Sequence, residues 1–279
     1  MSGSVNLTAY LERVGYAGSI APTLATLEAL HALHPAAIPF ENLNPLLGLP
    51  VLLDQRSLEQ KLIHERRGGY CFEHNLLFMR VLRELEFTVR GYAARVLWGH
   101  PEGAERPVSH MVLGVEIGGS TYLADVGFGG LTLTAPLKLK GEVEQPTPHE
   151  TFLLAGEGPD YRLLARIGED WRQLYALDWT ERTDPDYAEL NQAIAVSDRF
   201  RDNLIAARTD KDRRHALANT RLTTYDLEGG KEQSRLGSVA EIKDALSGVF
   251  GIALPPAELL DPALERILLR AQAEDQAQA

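Results

Sequence analysis

Cys71 is the only cysteine of the chain and directly follows Gly68-Gly69-Tyr70, at the expected start of a helix. A helix N-terminus carries partial positive charge and free N–H groups, and both favour thiolate over thiol. The glycines let backbone and substrate approach closely. A lone cysteine is more often a small buried hydrophobe. The glycine turn and the polar neighbours Glu73, His74 and Asn75 bring a nucleophile into contention.

A thiol nucleophile needs a base, and the base needs an orienting group. Eight histidines are available. His31, His34 and His64 fit the solvent faces of helices. His74 is close to Cys71, but three residues along the same helix it is aimed more along the axis than at an attacked carbonyl. His110 opens the apolar strand His110 to Ile117, Gly118-Gly119 supply a two-residue turn, and Ser120 to Asp125 return. If Ile117 pairs with Ser120, Asp125 falls opposite Val112. It is then a diagonal neighbour of His110, at roughly 7 Å between backbones. A three-residue loop would put the two on opposite faces. Spacing alone leaves both histidines open as the base.

The elements that must position these residues change in kind along the chain. The first part reads as helices: Leu7 to Val14 capped by Asn6 and closed by Gly15, then a helix opened by Pro22 and stopped by Pro35 and Pro39. Leu24, Leu27, Leu30 and Leu33 step by three along the second helix. Ser57 and Gln60 have capping-box spacing for a third helix, and a fourth runs from Cys71 to about Glu86. From Phe87 the pattern predicts strands: 87–98, 111–117, 121–126, 131–139, 151–154, 161–167 and 171–177. Helices return at 187–196 and 199–208, with Asp184 and Asp186 in a solvated turn. One or two strands fall in 217–227. A second capping box, Ser238 with Glu241, opens a helix to about Phe250, a last helix runs to Arg270, and 271–279 read as a frayed tail. The fold class is α+β. Its expected parts are a helical bundle (1–86) carrying Cys71, an antiparallel barrel or sandwich (87–195) carrying His110 and Asp125, and a mixed helix-and-strand segment (196–279).

Composition narrows the function. The 279 residues are 44% hydrophobic and 24% charged, which is ordinary for a globular protein. The net charge of −11 repels phosphate backbones and anionic lipid, so neither nucleic acid nor a membrane surface is an expected partner. One cysteine and no visible export signal fit a reducing cytoplasm. No multi-cysteine or paired-histidine metal motif is present, so no metal is expected. Val126-Gly127-Phe128-Gly129-Gly130 lacks the Lys-Ser/Thr ending of a phosphate-binding loop.

The run Arg67-Gly68-Gly69-Tyr70-Cys71-Phe72-Glu73-His74-Asn75 resembles the active-site signature of the arylamine N-acetyltransferases. Pro39-Phe40-Glu41-Asn42-Leu43, Ser109-His110-Met111 and Asp125 to Gly130 are similar to three further segments of that family, in the expected order. The resemblance implies a helical bundle, a β-barrel and an α/β lid around a cysteine-protease-like core, with a Cys71–His110–Asp125 triad. It chooses His110 over His74. It also implies acetyl-CoA as co-substrate and an aromatic amine or hydrazine as acceptor. Phe40 would then line the acceptor pocket, Phe128 and Gly129 would sit beside the acetyl group, and Trp98, Ser109 and Phe200 would line the acetyl-CoA cleft. Backbone N–H groups near Cys71 and in the 126–130 loop are where oxyanion donors are sought. Two other uses of such a triad stay open: a macrolactam-forming amide synthase of the same family, and a papain- or transglutaminase-like cysteine hydrolase. A non-catalytic binding protein and a homo-oligomeric assembly also stay open.

Overall fold

The computed structural model describes residues 4–101 and 103–278. Asn6 caps α1 (Leu7–Val14) by accepting the Ala9 N–H. The next helix, α2 (Leu24–Ala37), starts from Thr23, whose hydroxyl accepts from Thr26. It runs through Pro35 instead of stopping there. In the last turn the missing proline N–H forfeits a single bond, and the Ile38 N–H still closes on His34. Next come β1 (Phe40–Glu41), α3 (Leu43–Leu46) and α4 (Gln55–Leu58), which widens into a π-helical turn at Glu59–His64. The cap of α4 is Asp54, which accepts the Ser57 N–H, so Ser57 lies inside the helix it was expected to start. Tyr70 then leads into α5 (Cys71–Glu84).

Eight strands follow: β2 (Thr88–Val96), β3 (His110–Ile117), β4 (Ser120–Ala124), β5 (Leu137–Lys138), β6 (Glu144–Pro146), β7 (Thr151–Ala155), β8 (Arg162–Ile167) and β9 (Asp170–Asp178). All pairings are antiparallel, in the order β5-β4-β3-β2-β9-β8-β7-β6. The end strands meet through one side chain. The Gln145 amide donates to the Lys138 carbonyl at 2.9 Å and accepts the Lys138 N–H at 2.8 Å, nearly closing a barrel. Val112, Leu123, Phe152, Leu154, Leu163 and Leu174 fill it. The expected strand 131–139 shrinks to two residues. Its start is diverted because the Thr132 hydroxyl donates to the Asp125 carbonyl and accepts the Phe128 N–H, a local alternative to ladder bonds.

The β3–β4 hairpin has the expected register, with Ile117 opposite Ser120 and Leu113 opposite Ala124. Its turn, Gly118-Gly119, has φ of 57° and 73°, as a two-residue type I′ turn demands.

Asp184 and Asp186 form the first turn of α6 (Asp184–Ala195) instead of a loose turn, with Asp186 accepting both the Thr183 N–H and hydroxyl at 2.7 Å. After it comes α7 (Asp198–Arg201), a single turn, because the chain is soon taken up by β10 (Ile205–Thr209). That strand, β11 (Arg213–Ala218), β12 (Arg221–Asp226) and β13 (Lys231–Arg235) make a second sheet. Its far edge is β1, with Phe40 opposite Ala207. Ser238 caps α8 (Val239–Asp244), and α9 (Ala257–Gln278) continues past Arg270 through an Ala- and Gln-rich stretch of good helix formers, where fraying was expected. Among the described residues no helix is long and apolar enough to cross a membrane.

Candidate active site

Cys71 is the first residue of α5 and is buried at 5% exposure. The helix start is fixed by Glu73, whose carboxylate accepts the Tyr70 N–H at 3.0 Å and pairs with Lys61 at 2.7 Å. The thiol lies 3.9 Å from the Ser109 carbonyl, at the mouth of β3. One residue on, His110 Nε2 meets Asp125 Oδ2 at 2.7 Å, both side chains buried. With Nε2 so engaged, Nδ1 is the nitrogen left for Cys71. Burial opposes a charge on His110, but the Asp125 carboxylate and a hydrogen bond with Cys71 outweigh it and push the pKa up to about 10. Burial likewise works against ionised Asp125, and the imidazolium, Asn75 and the Gly127 N–H hold its pKa below the usual value.

The structure brings Cys71, His110 and Asp125 together through one residue the sequence reading passed over. Asn75 lies one turn after Cys71 on the same face of α5. Its amide donates to Asp125 Oδ1 at 2.9 Å and to the Met111 carbonyl at 2.8 Å, and its oxygen accepts the Val126 N–H at 3.1 Å. The i, i+4 spacing from the cysteine was the available signal. Gly127 packs on the same spot. A Cβ there would lie 2.9 Å from the Cys71 Cα and from the Asn75 amide nitrogen, so no larger residue fits without displacing the helix start.

The remaining expected residues divide. Phe128 rests on His110, ring centroids 5.3 Å apart, with Tyr175 against both. Gly129 faces the Phe40 ring, and a Cβ there would lie 3.6 Å from it. Phe40 also faces Phe200 at 6.4 Å, and Phe200 meets Tyr70 edge-on at 5.4 Å. Asn42 ties this wall together, donating to the Phe200 and Asn203 carbonyls and accepting the Ile205 N–H, a role sequence reading missed. Trp98 stands apart, partly exposed with its backbone N–H donating to the Leu174 carbonyl; among the described residues it makes no hydrogen bond or ring contact with the others. The start of the 126–130 loop offers little to an oxyanion, because the Val126, Gly127 and Phe128 N–H groups are bonded to Asn75, Asp125 and Thr132.

His31 and His34 are buried, contrary to the surface placement expected, and His64 is exposed. His34 bonds His74 and Tyr10, while His31 Nε2 accepts the Asp125 backbone N–H at 3.1 Å. Burial lowers all three: His31 and His74 to about 4, and His34 well below its ordinary value. A histidine held neutral this way is poorly suited to stabilise a thiolate, whereas His110 keeps its proton. Among the described residues no group of three or more His, Cys, Asp or Glu side chains is arranged to hold a metal ion.

A thiol at a helix start, a carboxylate-held imidazole beside it and an aromatic wall can together perform nucleophilic acyl transfer. The N-acetyltransferase family profile matches residues 23–259. The arylamine N-acetyltransferase of Mycobacterium tuberculosis (strain H37Rv) is 42% identical over 257 residues, covering 89% of this chain and 90% of its own. A Salmonella typhimurium protein, arylamine N-acetyltransferase / N-hydroxyarylamine O-acetyltransferase, is 38% identical over 251 residues, covering 89% of each. The solved structure of Mycobacterium marinum arylamine N-acetyltransferase in complex with CoA superposes with a TM-score of 0.90 at 36% identity, covering 94% of this chain and 99% of that one. The chain belongs to the arylamine N-acetyltransferase family, and it is an acetyltransferase.

Proposed function

We propose that the chain moves acetyl from acetyl-CoA to an aromatic amine or hydrazine through an acetyl-Cys71 intermediate, with His110 as acid and base and Asp125 as its partner. The observation that carries these roles is the buried 2.7 Å His110–Asp125 pair beside a thiol at a helix N-terminus. The CoA complex of the M. marinum relative supports the donor, and the relatives' names support the acceptor. The Salmonella relative's double name extends the acceptors to hydroxylated aryl amines.

Each half-reaction balances. The Cys71 sulfur bonds to the acetyl carbon, the thioester C–S bond breaks, and CoA leaves with the His110 proton. The amine nitrogen then bonds to the acetyl carbon and gives a proton to His110, and the Cys71 thiolate departs, restoring the ion pair. With the Val126, Gly127 and Phe128 amides occupied, the first-turn N–H groups of α5 are the oxyanion donors of this scheme. Phe40 lines a pocket that admits a flat apolar amine and excludes water, with Phe128 beside the acetyl group and Phe200, on the acetyl-CoA side, packed against Phe40. We read segments 1–86, 87–195 and 196–279 as nucleophile-bearing, base-bearing and covering parts, at work in the cytoplasm.

Intact mass after brief exposure to acetyl-CoA tests the scheme. One acetyl group should appear on Cys71 and vanish when an arylamine is added. Rapid loss of the acetyl group to water without any amine would favour a hydrolase, and no adduct at all would remove Cys71 from the mechanism.

A further inference from the structure

His74 lies inside the Cys71 motif yet takes no part in the proton transfers above. Its Nε2 is 3.0 Å from the Gly69 carbonyl and 3.2 Å from the Pro39 carbonyl, so that nitrogen carries the hydrogen. In a neutral ring Nδ1 is then an acceptor, and His34 Nε2, 2.9 Å away, must donate to it. His34 Nδ1 is in turn an acceptor, and the Tyr10 hydroxyl, also 2.9 Å away, donates. All three side chains are buried, so water does not offer an alternative pattern. The hydrogen bonds run one way, from Tyr10 through His34 and His74 to two backbone carbonyls.

We propose that this one-way chain is a positioning device that fixes Phe40 relative to Cys71 and so sets the grip on the aromatic acceptor. The inference rests on the site proposed above. The two carbonyls belong to the residue before Phe40 and to the second residue before Cys71. The segments already touch, through Glu41 N–H to Gly69 O at 2.8 Å and Gly69 N–H to Pro39 O at 3.3 Å. His74 pins that junction from the helix side, and its ring lies parallel to Phe40, 1° apart in tilt and 6.3 Å between centroids. Cys71 has a fourteen-residue helix and the Glu73 cap behind it, whereas Phe40 sits on a strand of two residues. Loosening the chain therefore moves Phe40 more than it moves Cys71.

Two measurements test this. In nitrogen-15 NMR of histidine-labelled enzyme at neutral pH, His34 and His74 should both be neutral with the proton on Nε2. A proton on His74 Nδ1, or a charged ring, overturns the proposal. In kinetics, His74→Leu should raise the amine KM about tenfold while changing the rate of the CoA burst by less than about threefold. His74→Gln, which keeps an N–H for the carbonyls, should recover part of the loss. Tyr10→Phe, the mildest change, should raise KM about twofold with the fold intact. An unaltered KM in Tyr10→Phe and His74→Leu, or an equal fall in burst and amine steps, overturns the proposal. Absence of a burst in the native enzyme counts instead against acetyl-Cys71, and the proton positions on His34 and His74 then decide the chain by themselves.

Discussion

Buried histidines flank Cys71 in two settings, His110 holding its proton at neutral pH and His31, His34 and His74 held neutral. His110 is 2% exposed and His74 1%, so burial does not separate them. What separates them is the partner. His110 has a carboxylate at 2.7 Å and is pushed up to about 10, while His74 has carbonyls and another imidazole and is pushed down to about 4. Asp125 touches both groups, giving His110 its charged oxygen and His31 only its backbone N–H. Desolvation sets a common penalty on the ion, and a full charge within hydrogen-bond distance is what overcomes it.

Substitutions at Cys71, Asp125 and Phe40 should separate the two settings with steadily smaller effects. Cys71→Ala and Cys71→Ser should each lower acetyl transfer by at least about 10³-fold, since every other group acts through the thiol. Rapid-quench CoA release measures this, and substantial activity in Cys71→Ala would end the mechanism. Asp125→Asn removes the charge and keeps the shape. It should lower acetylation by about 10²- to 10⁴-fold, and should bring the His110 pKa down, below its ordinary value of about 6.5, as burial has done at His74. A His110 still charged at pH 8 in that variant, seen by NMR, would mean the carboxylate is not the cause. Phe40→Ala should raise the arylamine KM about tenfold and leave the CoA burst nearly intact, because the lost apolar contact is made with the acceptor alone.

The smallest effect is on stability, and its sign differs between the two groups. His110 binds its proton more tightly folded than unfolded, so its contribution is whole below about pH 6.5 and is lost as pH rises through about 10. His31 and His74 bind theirs less tightly folded, so stability falls as pH drops from about 6.5 through about 4. Denaturant midpoints should peak between these windows. Asp125→Asn should flatten the alkaline limb and steepen the acid limb, because a His110 left without its carboxylate then resists protonation in the folded state as His31 and His74 do.

The His110–Asp125 diagonal was legible because Gly118-Gly119 fixes the turn and the turn fixes the register. The buried histidines of α2 were not. Leucines stepping by three drift around a helix of 3.6 residues per turn, so Leu24 and Leu33 end about half a turn apart. The buried face is Leu27, Leu30, His31 and His34, spaced i, i+3, i+4, i+7. Two of those four positions are polar, and their partners lie 40 and 94 positions away. Asn75 and Asn42 were hidden for the same reason, since each is explained only by partners far along the chain. The truncated strand at 131–139 was lost to a single threonine hydroxyl whose local bonds no alternation pattern reveals.

The pairing of β1 with β10 also has a bearing on how the molecule is made. Cys71, His110 and Asp125 all leave the ribosome before residue 126, yet the strand carrying Phe40 has its hydrogen-bonding neighbour in Ile205–Thr209. Asn42 and its partner Ile205 are 163 positions apart. Contacts of that separation form late, because a long loop must be closed before they give anything back. During synthesis Cys71 and His110, the proposed nucleophile and base, therefore exist well before the aromatic wall is anchored beside them, and the proposed acceptor pocket is the last part of the site to mature.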